Sequence, residues 1–447
     1  MKTKREKGYG LKLIGLCGGQ ISAGMETVVI SQLTYYLTES VLMAAATVGI
    51  LLMCTKFFDG FTDAVAGFLV DRTHSRWGKA RPYSLLYVPM WIAMVLIYSV
   101  PQINVKLQIA YVFVMYVIIE AIGRTFIICI QSVLLHRAVY EEDQVKYMAV
   151  GAVFAFVFGL VASVAMPVLI KIYGSTRTGW TIIALIFAVP GSILGFLQFL
   201  FVKEFPVPEK EQRAETIPFM TGLRALFQNK YAWIFGCVIF LYNLASGTAG
   251  TYYARYVIGD VGAMGVISGM AFLSMLLMIV LPRLQKQHGS ARLIRIGLWV
   301  ACLGCLGRYL FPTNILYQGL MAIVYMGGTL PAATFMNLVS IDCMKYSHYQ
   351  TGLRLEGVVS SVNGVATKLG AGLGAAALGL LMGLSGYDGS AAVQSDSAIT
   401  MIRFLYAGLP AITTALCAIV MHFYDLDSKL PEINAELERR EAAEEML

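Results

Sequence analysis

The chain has 447 residues, of which 57% are hydrophobic and only 14% charged, with a mean hydropathy of +0.68. A soluble protein carries about a quarter charged residues, so a soluble globular fold is excluded. A transmembrane β-barrel is excluded too, because its short strands alternate in polarity and these apolar runs do not. The net charge of +7 would suggest an acidic or nucleic-acid partner in a soluble protein, but its distribution follows membrane topology.

Apolar runs of about 20 residues, each long enough to cross a bilayer as a helix, recur along the whole length. Spans are expected near 10–38, 42–70, 83–101, 107–135, 147–171, 178–202, 231–256, 262–282, 293–311, 316–341, 355–385 and 398–424. The first run is basic and then apolar, like a signal peptide. It continues through METVVISQLTYYL, too long for a cleaved leader, so it reads as the first span. The polar connection Lys203–Lys230 divides the spans six and six, and its PFMTGLRALFQN stretch fits a short surface helix. The expected organisation is therefore a six-helix half at 1–202, a loop at 203–230, a second half at 231–424 and a tail at 425–447.

Roughly 23 Lys and Arg residues fall on the side of the termini and the central loop, against about four on the other side. Both termini are expected in the cytoplasm, with the chain in the cell membrane. SRWGKARPY after span two and KQHGSARLI after span eight both place Gly and Arg three apart (Gly78/Arg81, Gly289/Arg292), a faint internal repeat.

Ionisable side chains inside the spans carry the functional signal, because each costs on the order of 2.5–3.5 kcal/mol at mid-membrane on insertion scales. Lys56, Asp59 and Asp63 lie on one face of span two. Two carboxylates one turn apart can converge on a hard cation, with Thr62 and hydroxyls from another helix completing the shell. The same trio could instead only lock helices together. Span four carries Glu120 and Arg124, which can pair with each other. Glu26 in span one and Lys368 in span eleven need partners from other helices, Glu26–Arg124 and Lys368 with a span-two acid being two options. Gln20, Asn243, Asn337 and Asn363 add polarity in spans one, seven, ten and eleven, for solute contact or interhelical bonding.

All five histidines fall in cytoplasmic connections or at a span end, which argues against a mid-membrane histidine proton relay. No phosphate-binding glycine loop or nucleophile–base constellation occurs, so neither an ATP-driven pump nor an enzyme is expected. Cys302 and Cys305 read as small packing residues and not as a zinc pair. No cofactor is expected.

KFFDGFTDAVAGFLVDRTHSRWGKARPY and DCMKYSHYQTGLRLEGVVSSVNGVATKLG, in opposite halves, resemble the signatures of the glycoside–pentoside–hexuronide:cation symporters. The resemblance implies an all-α membrane protein with the major facilitator fold, twelve helices in two six-helix halves. It implies sugar uptake coupled to Na+, H+ or Li+. By position, the cation-binding acids of that family fall on Asp59 and Asp63, its neighbouring polar ligand on Thr62, its span-four threonine on Thr125 and its span-eleven lysine on Lys368. Lys56 is the basic residue before the acids. The melibiose-carrying members hold their sugar by carboxylates in spans one and four, and those places fall on Ala23 and Ile128. The span-five basic residue falls near Val153 and the span-four tryptophan near Ser132, and Asp342 is followed by Lys345 where an acid is usual. The cation half is kept and the galactoside half is not. Glu26, Glu120 and Arg124 are then candidates for a different solute site, with Arg124 suited to an anionic sugar.

The expected function is cation-coupled symport of a sugar by alternating access, by a monomer in the lipid bilayer with no nucleic-acid partner. A lipid or lysolipid carrier on the same scaffold and a non-transporting solute sensor are the alternatives. Gates are expected at the cytoplasmic 71–82 and 342–354 loops, with Arg72, Arg76, Arg81 and Arg354 pairing with Asp71 and Glu356.

Overall fold

The computed structural model describes residues 9–73, 75–205, 229–245, 249–351, 356–391 and 393–445, and every regular element among them is helical. Helix α1 has two pieces, Tyr9–Ser31 and Leu33–Glu39. Next come α2 (Ala45–Arg72), α3 (81–97), α4 (105–138), α5 (Glu141–Tyr173) and α6 (Arg177–Phe201). Then follow α7 (230–258, described on both sides of 246–248), α8 (263–288), α9 (Ser290–Gly307), α10 (Ile315–Thr351), α11 (Glu356–Leu384) and α12 (396–420). A last helix, α13 (Leu430–Glu445), occupies the tail. Residues 206–228, with most of the surface helix expected in the central loop, lie outside the described residues.

Among the described residues, nine helices are long and apolar enough to cross a membrane. The pieces of α8, bent by 53° where Pro282 interrupts the helix, make a tenth. The two shorter apolar helices, Ala45–Lys56 and Arg81–Ile97, fall on expected spans two and three. Helix α2 runs on without a break to Arg72 and carries Lys56, Asp59 and Asp63 along its second half.

The chain forms two compact units, one of Met1–Glu211, Thr248–Val266 and Ala376–Ile399, the other of Gln212–Gly247, Ile267–Ala375 and Thr400–Leu447. In the first, α1 lies against α5 and α6, and α3 against α6. Buried hydrogen bonds fix that packing, as expected where lipid gives helices no hydrophobic reason to associate. Ser22 Oγ donates to Gly191 O at 2.8 Å and accepts from Trp91 Nε1 at 2.9 Å. The Tyr87 hydroxyl donates to Gly19 O at 2.8 Å. Trp180 stacks on Tyr98 beside Tyr36.

The 248–266 and 376–399 segments join this unit around the end of α1. The Glu39 side chain is buried there, with Arg255 Nη1 2.9 Å from Oε2 and the Tyr256 hydroxyl at 2.7 and 2.9 Å from its two oxygens. The Tyr387 hydroxyl donates to the same carboxylate. Thr38 bonds Tyr252 at 2.6 Å, and Thr251 donates to Gln32 at 2.7 Å. At the edge, Lys171 Nζ lies 2.7 Å from Asp260 Oδ2, and that hydrogen bond holds the Asp260 carboxyl below its usual range.

The second unit is built on Tyr231, Phe235, Ile294, Leu298, Val339 and Cys343, with Ile433 of α13 in the same core. Cys302 and Cys305 are packing residues in a small apolar cluster with Ala411.

The faint repeat has a structural counterpart in each unit. Gly78 and Gly289 both adopt positive φ, +115° and +79°. A Cβ at Gly78 would lie 2.6 Å from the Glu204 carboxyl group, and one at Gly289 2.7 Å from Asp427 Oδ2. Glu204, just after α6, accepts from the backbone N–H groups of Lys79, Ala80 and Arg81 at 2.8–2.9 Å. Asp427, just after α12, accepts from Ala291 N at 2.9 Å. In each unit a carboxylate caps the start of a helix, where free N–H groups favour negative charge, and only glycine leaves room for it.

Candidate functional site

The site is built on α1, α2 and α4 of the first unit. Lys56 Nζ of α2 lies 3.2 Å from Asp59 Oδ2 and 2.7 Å from Glu120 Oε2 of α4. Glu120 Oε1 accepts from Arg124 Nη1 at 3.3 Å, and Arg124 Nε lies 4.0 Å from Glu26 Oε2 of α1. Five charges thus alternate in sign across three helices: Asp59, Lys56, Glu120, Arg124, Glu26. Fully ionised they sum to −1. The three carboxylates are buried, and Lys56 and Arg124 are partly so. Lys56 also lies 5.6 Å from the centre of the Tyr116 ring. Burial at this depth demands pairing, which the alternation supplies. Glu26 Oε1 has no hydrogen-bond partner among the described residues.

The α4 backbone is adapted here. Ile118–Arg124 is a π-helical segment, a form that occurs mostly as a single-turn bulge inside an α-helix and is frequent at functional sites. Glu120 and Arg124 both lie on that widened turn. Thr125, the next residue, is buried.

A cavity of about 230 Å³ adjoins the chain of charges. It is lined by Ala23 and Glu26 of α1, Met90 of α3, and Arg124, Ile127 and Ile128 of α4. Ala23 and Ile128, where the resemblance places sugar-holding carboxylates, therefore share one cavity with Glu26 and Arg124. Glu26 is three residues after Ala23 and Arg124 four before Ile128, so each charge is displaced by about one turn on the same helix face.

The other candidates are distributed as follows. Asp59 and Asp63 sit one turn apart on continuous helix, Asp59 buried and Asp63 exposed. Thr62 Oγ1 donates back to Phe58 O and Asp59 O, each at 3.2 Å. Gln20 packs where α1 meets Gly151 of α5. Lys368, Asn243, Asn337 and Asn363 belong to the second unit. Asn243 Nδ2 bonds Ile239 O at 2.9 Å, Asn363 Oδ1 lies 3.4 Å from Thr367 Oγ1, and Asn337 is exposed.

Among the expected gate residues, Arg81 Nε donates to Phe199 O at 2.7 Å, its guanidinium resting on the Phe199 ring at the end of α6. Arg72 and Arg76 stack on Phe68 and Trp77. Arg354 lies outside the described residues, as do the side chains of Asp71 and Glu356. Sequence reasoning missed Glu39, Glu204 and Asp427. An acid shortly after the last span of each half, taken with the Gly78/Gly289 repeat, was the available signal for the last two.

The family model described as "MFS/sugar transport protein" matches residues 16–428. The chain belongs to that family. The isoprimeverose transporter of Lactiplantibacillus pentosus is 28% identical over 442 residues, 94% of this chain and 89% of the relative. The glucuronide carrier protein homolog of Escherichia coli K12 is 26% identical, covering 93% and 92% of the two chains. A putative sulfoquinovose importer of the same organism is 25% identical, covering 92% and 90%. The fold matches solved transporters. A bacterial homolog of the human lysosomal transporter Spinster superposes with a TM-score of 0.70 at 13% identity, covering 95% of this chain and 98% of that one. The nucleoside transporter NupG superposes at 0.62 and 15% identity, covering 93% and 100%. The chain is a secondary transporter of the major facilitator fold and of its sugar-carrying kind, and the family resemblance read from the sequence is borne out.

Proposed function

We propose that this transporter couples the inward movement of a monovalent cation, Na+ before H+ or Li+, to uptake of a sugar that carries an acid group. The observation that supports it most is the shared cavity. Glu26 and Arg124 stand one turn from the two positions where melibiose-carrying relatives place carboxylates, on the same faces of the same helices. A guanidinium pairs with a carboxylate or sulfonate through parallel bonds, whereas a second carboxylate there would repel it. Two relatives are named for glucuronide and sulfoquinovose, both acidic sugars. Asp59 and Asp63, with Thr62 and Thr125, form the cation site, and Lys56 balances its charge.

Both termini are cytoplasmic, and twelve helices cross the cell membrane in two halves. Alternating access opens the site to each side in turn. The cluster on Glu39 is the outer latch: Arg255, Tyr256 and Tyr387 bind it when the outer side is closed and release it when that side opens. The test is uptake by the purified protein in proteoliposomes. Labelled methyl glucuronide, sulfoquinovose and isoprimeverose are supplied with and without an inward Na+ gradient, and with a proton gradient. The expected result is gradient-dependent accumulation of an acidic sugar. Transport of none of the three, or transport indifferent to both gradients, would reject the reading.

A further inference from the structure

The five alternating charges join the cation candidate at one end to the solute cavity at the other. We propose that Lys56 and Glu120 are positioning residues that transmit cation binding at Asp59 to Arg124 in the cavity. This rests on the reading that Asp59 meets the cation and the cavity meets the solute.

The geometry supplies the steps. Lys56 divides its ammonium between Asp59 at 3.2 Å and Glu120 at 2.7 Å. Glu120 divides its carboxylate between Lys56 on Oε2 and Arg124 on Oε1. Arg124 divides its guanidinium between Glu120 at 3.3 Å and Glu26 at 4.0 Å. Each middle member has two claimants, so strengthening one contact weakens the next. A cation arriving on Asp59 repels the Lys56 ammonium and takes its place. Lys56 then gives its whole charge to Glu120. Glu120, better satisfied, holds Arg124 less tightly, and Arg124 turns toward Glu26 and the cavity. Solute runs the same sequence backward: an acid group engaging Arg124 leaves Glu120 to Lys56, and Asp59 is freed for the cation. Reciprocity of this kind is required of any coupling between two ligands.

The arrangement also explains why the π turn lies where it does. Glu120 must face α2 through one oxygen and Arg124 through the other. The widened turn holds both residues on one side of α4, facing Lys56 and Glu26.

The experiment is the ratio of solute affinities with and without cation, measured by calorimetry on the purified full chain. Methyl glucuronide and isoprimeverose are the solute probes. The cations are Na+, Li+ and a one-unit drop in pH. Typical couplings change affinity about 5–150-fold. Glu120→Gln removes the shared charge at the centre, and Lys56→Met breaks the same link from α2 should the first variant fold poorly. Whatever happens to either affinity alone, the ratio should fall to within about two-fold of one in both variants, and Glu120→Asp should restore part of it. A role in packing alone would lower stability but leave the ratio intact. A wild type that responds to a cation, with variants that respond equally, overturns the relay and spares the symport reading. A wild type whose solute affinity answers to none of the three cations overturns both.

Discussion

Glu39→Gln keeps the size of the side chain at the end of α1 and removes its charge. The phenols of Tyr256 and Tyr387 then donate to a neutral amide. Hydrogen bonds to charged groups contribute about 1.5–3 kcal/mol against about 0.5–1.5 for neutral pairs, so the two phenols lose about 2 kcal/mol together. The Arg255 side chain is 43% exposed, so its ion pair is screened and adds at most about 1 kcal/mol. The latch is weakened by about 3 kcal/mol, or about 100-fold in the closed-to-open ratio at 1.4 kcal/mol per decade. Ala254, fully buried beside Arg255, is the reporter. Ala254→Cys is introduced into a background whose eight native cysteines are replaced. Its reaction with a membrane-impermeant maleimide is timed in right-side-out vesicles. When reclosing is faster than labelling, the rate follows the open population, so Glu39→Gln should raise it by up to about 100-fold. An unchanged rate in a protein that inserts normally would refute the latch.

Two further outcomes follow from the same contacts. Arg124→Ala should reduce uptake of glucuronide by about ten-fold or more, the loss of a charge-assisted pair of roughly 1.5–3 kcal/mol, while a neutral glycoside loses less. Equal losses, read as initial rates, would discard the acidic-sugar reading. Gly289→Ala forces a side chain into φ +79°, ψ 159° and against Asp427. It should destabilise the protein by about 2–4 kcal/mol, seen as a lower Tm in detergent, and an unmoved Tm would contradict the capping role of that carboxylate.

Much of this molecule is legible in its sequence because lipid permits so few structures. The apolar runs located every helix from α1 to α12, and the ionisable residues within them named all five members of the charge chain. Pairing was legible only in part: Glu120–Arg124 and Glu26–Arg124 were among the options, and Lys56–Glu120 was not. Glu120 had an evident partner four residues away in Arg124, but the closer contact comes from Lys56, 64 residues earlier. Spacing along one helix cannot reveal a neighbour on another. The π turn was hidden for a related reason, since Ile118–Arg124 has no composition that separates it from α-helix. Glu39 was missed because a lone acid at a span end carries no sign of its partners. Its partners Arg255, Tyr256 and Tyr387 are more than 200 residues away, and only tertiary structure brings them together. Gly78 and Gly289 lie between these cases. Their repeat was visible, and its cause, a carboxylate that leaves no room for a Cβ, was not.

The most direct measurement reverses the direction of driving. Proteoliposomes are given an inward solute gradient and no cation gradient, and uptake of radioactive Na+, or acidification of the lumen, is followed. Wild-type protein should draw the cation inward with the solute, and Asp59→Cys should carry no cation while still inserting. Solute entry with no cation beside it in the wild type, or undiminished cation entry in Asp59→Cys, would contradict a buried acid on α2 as the coupling site.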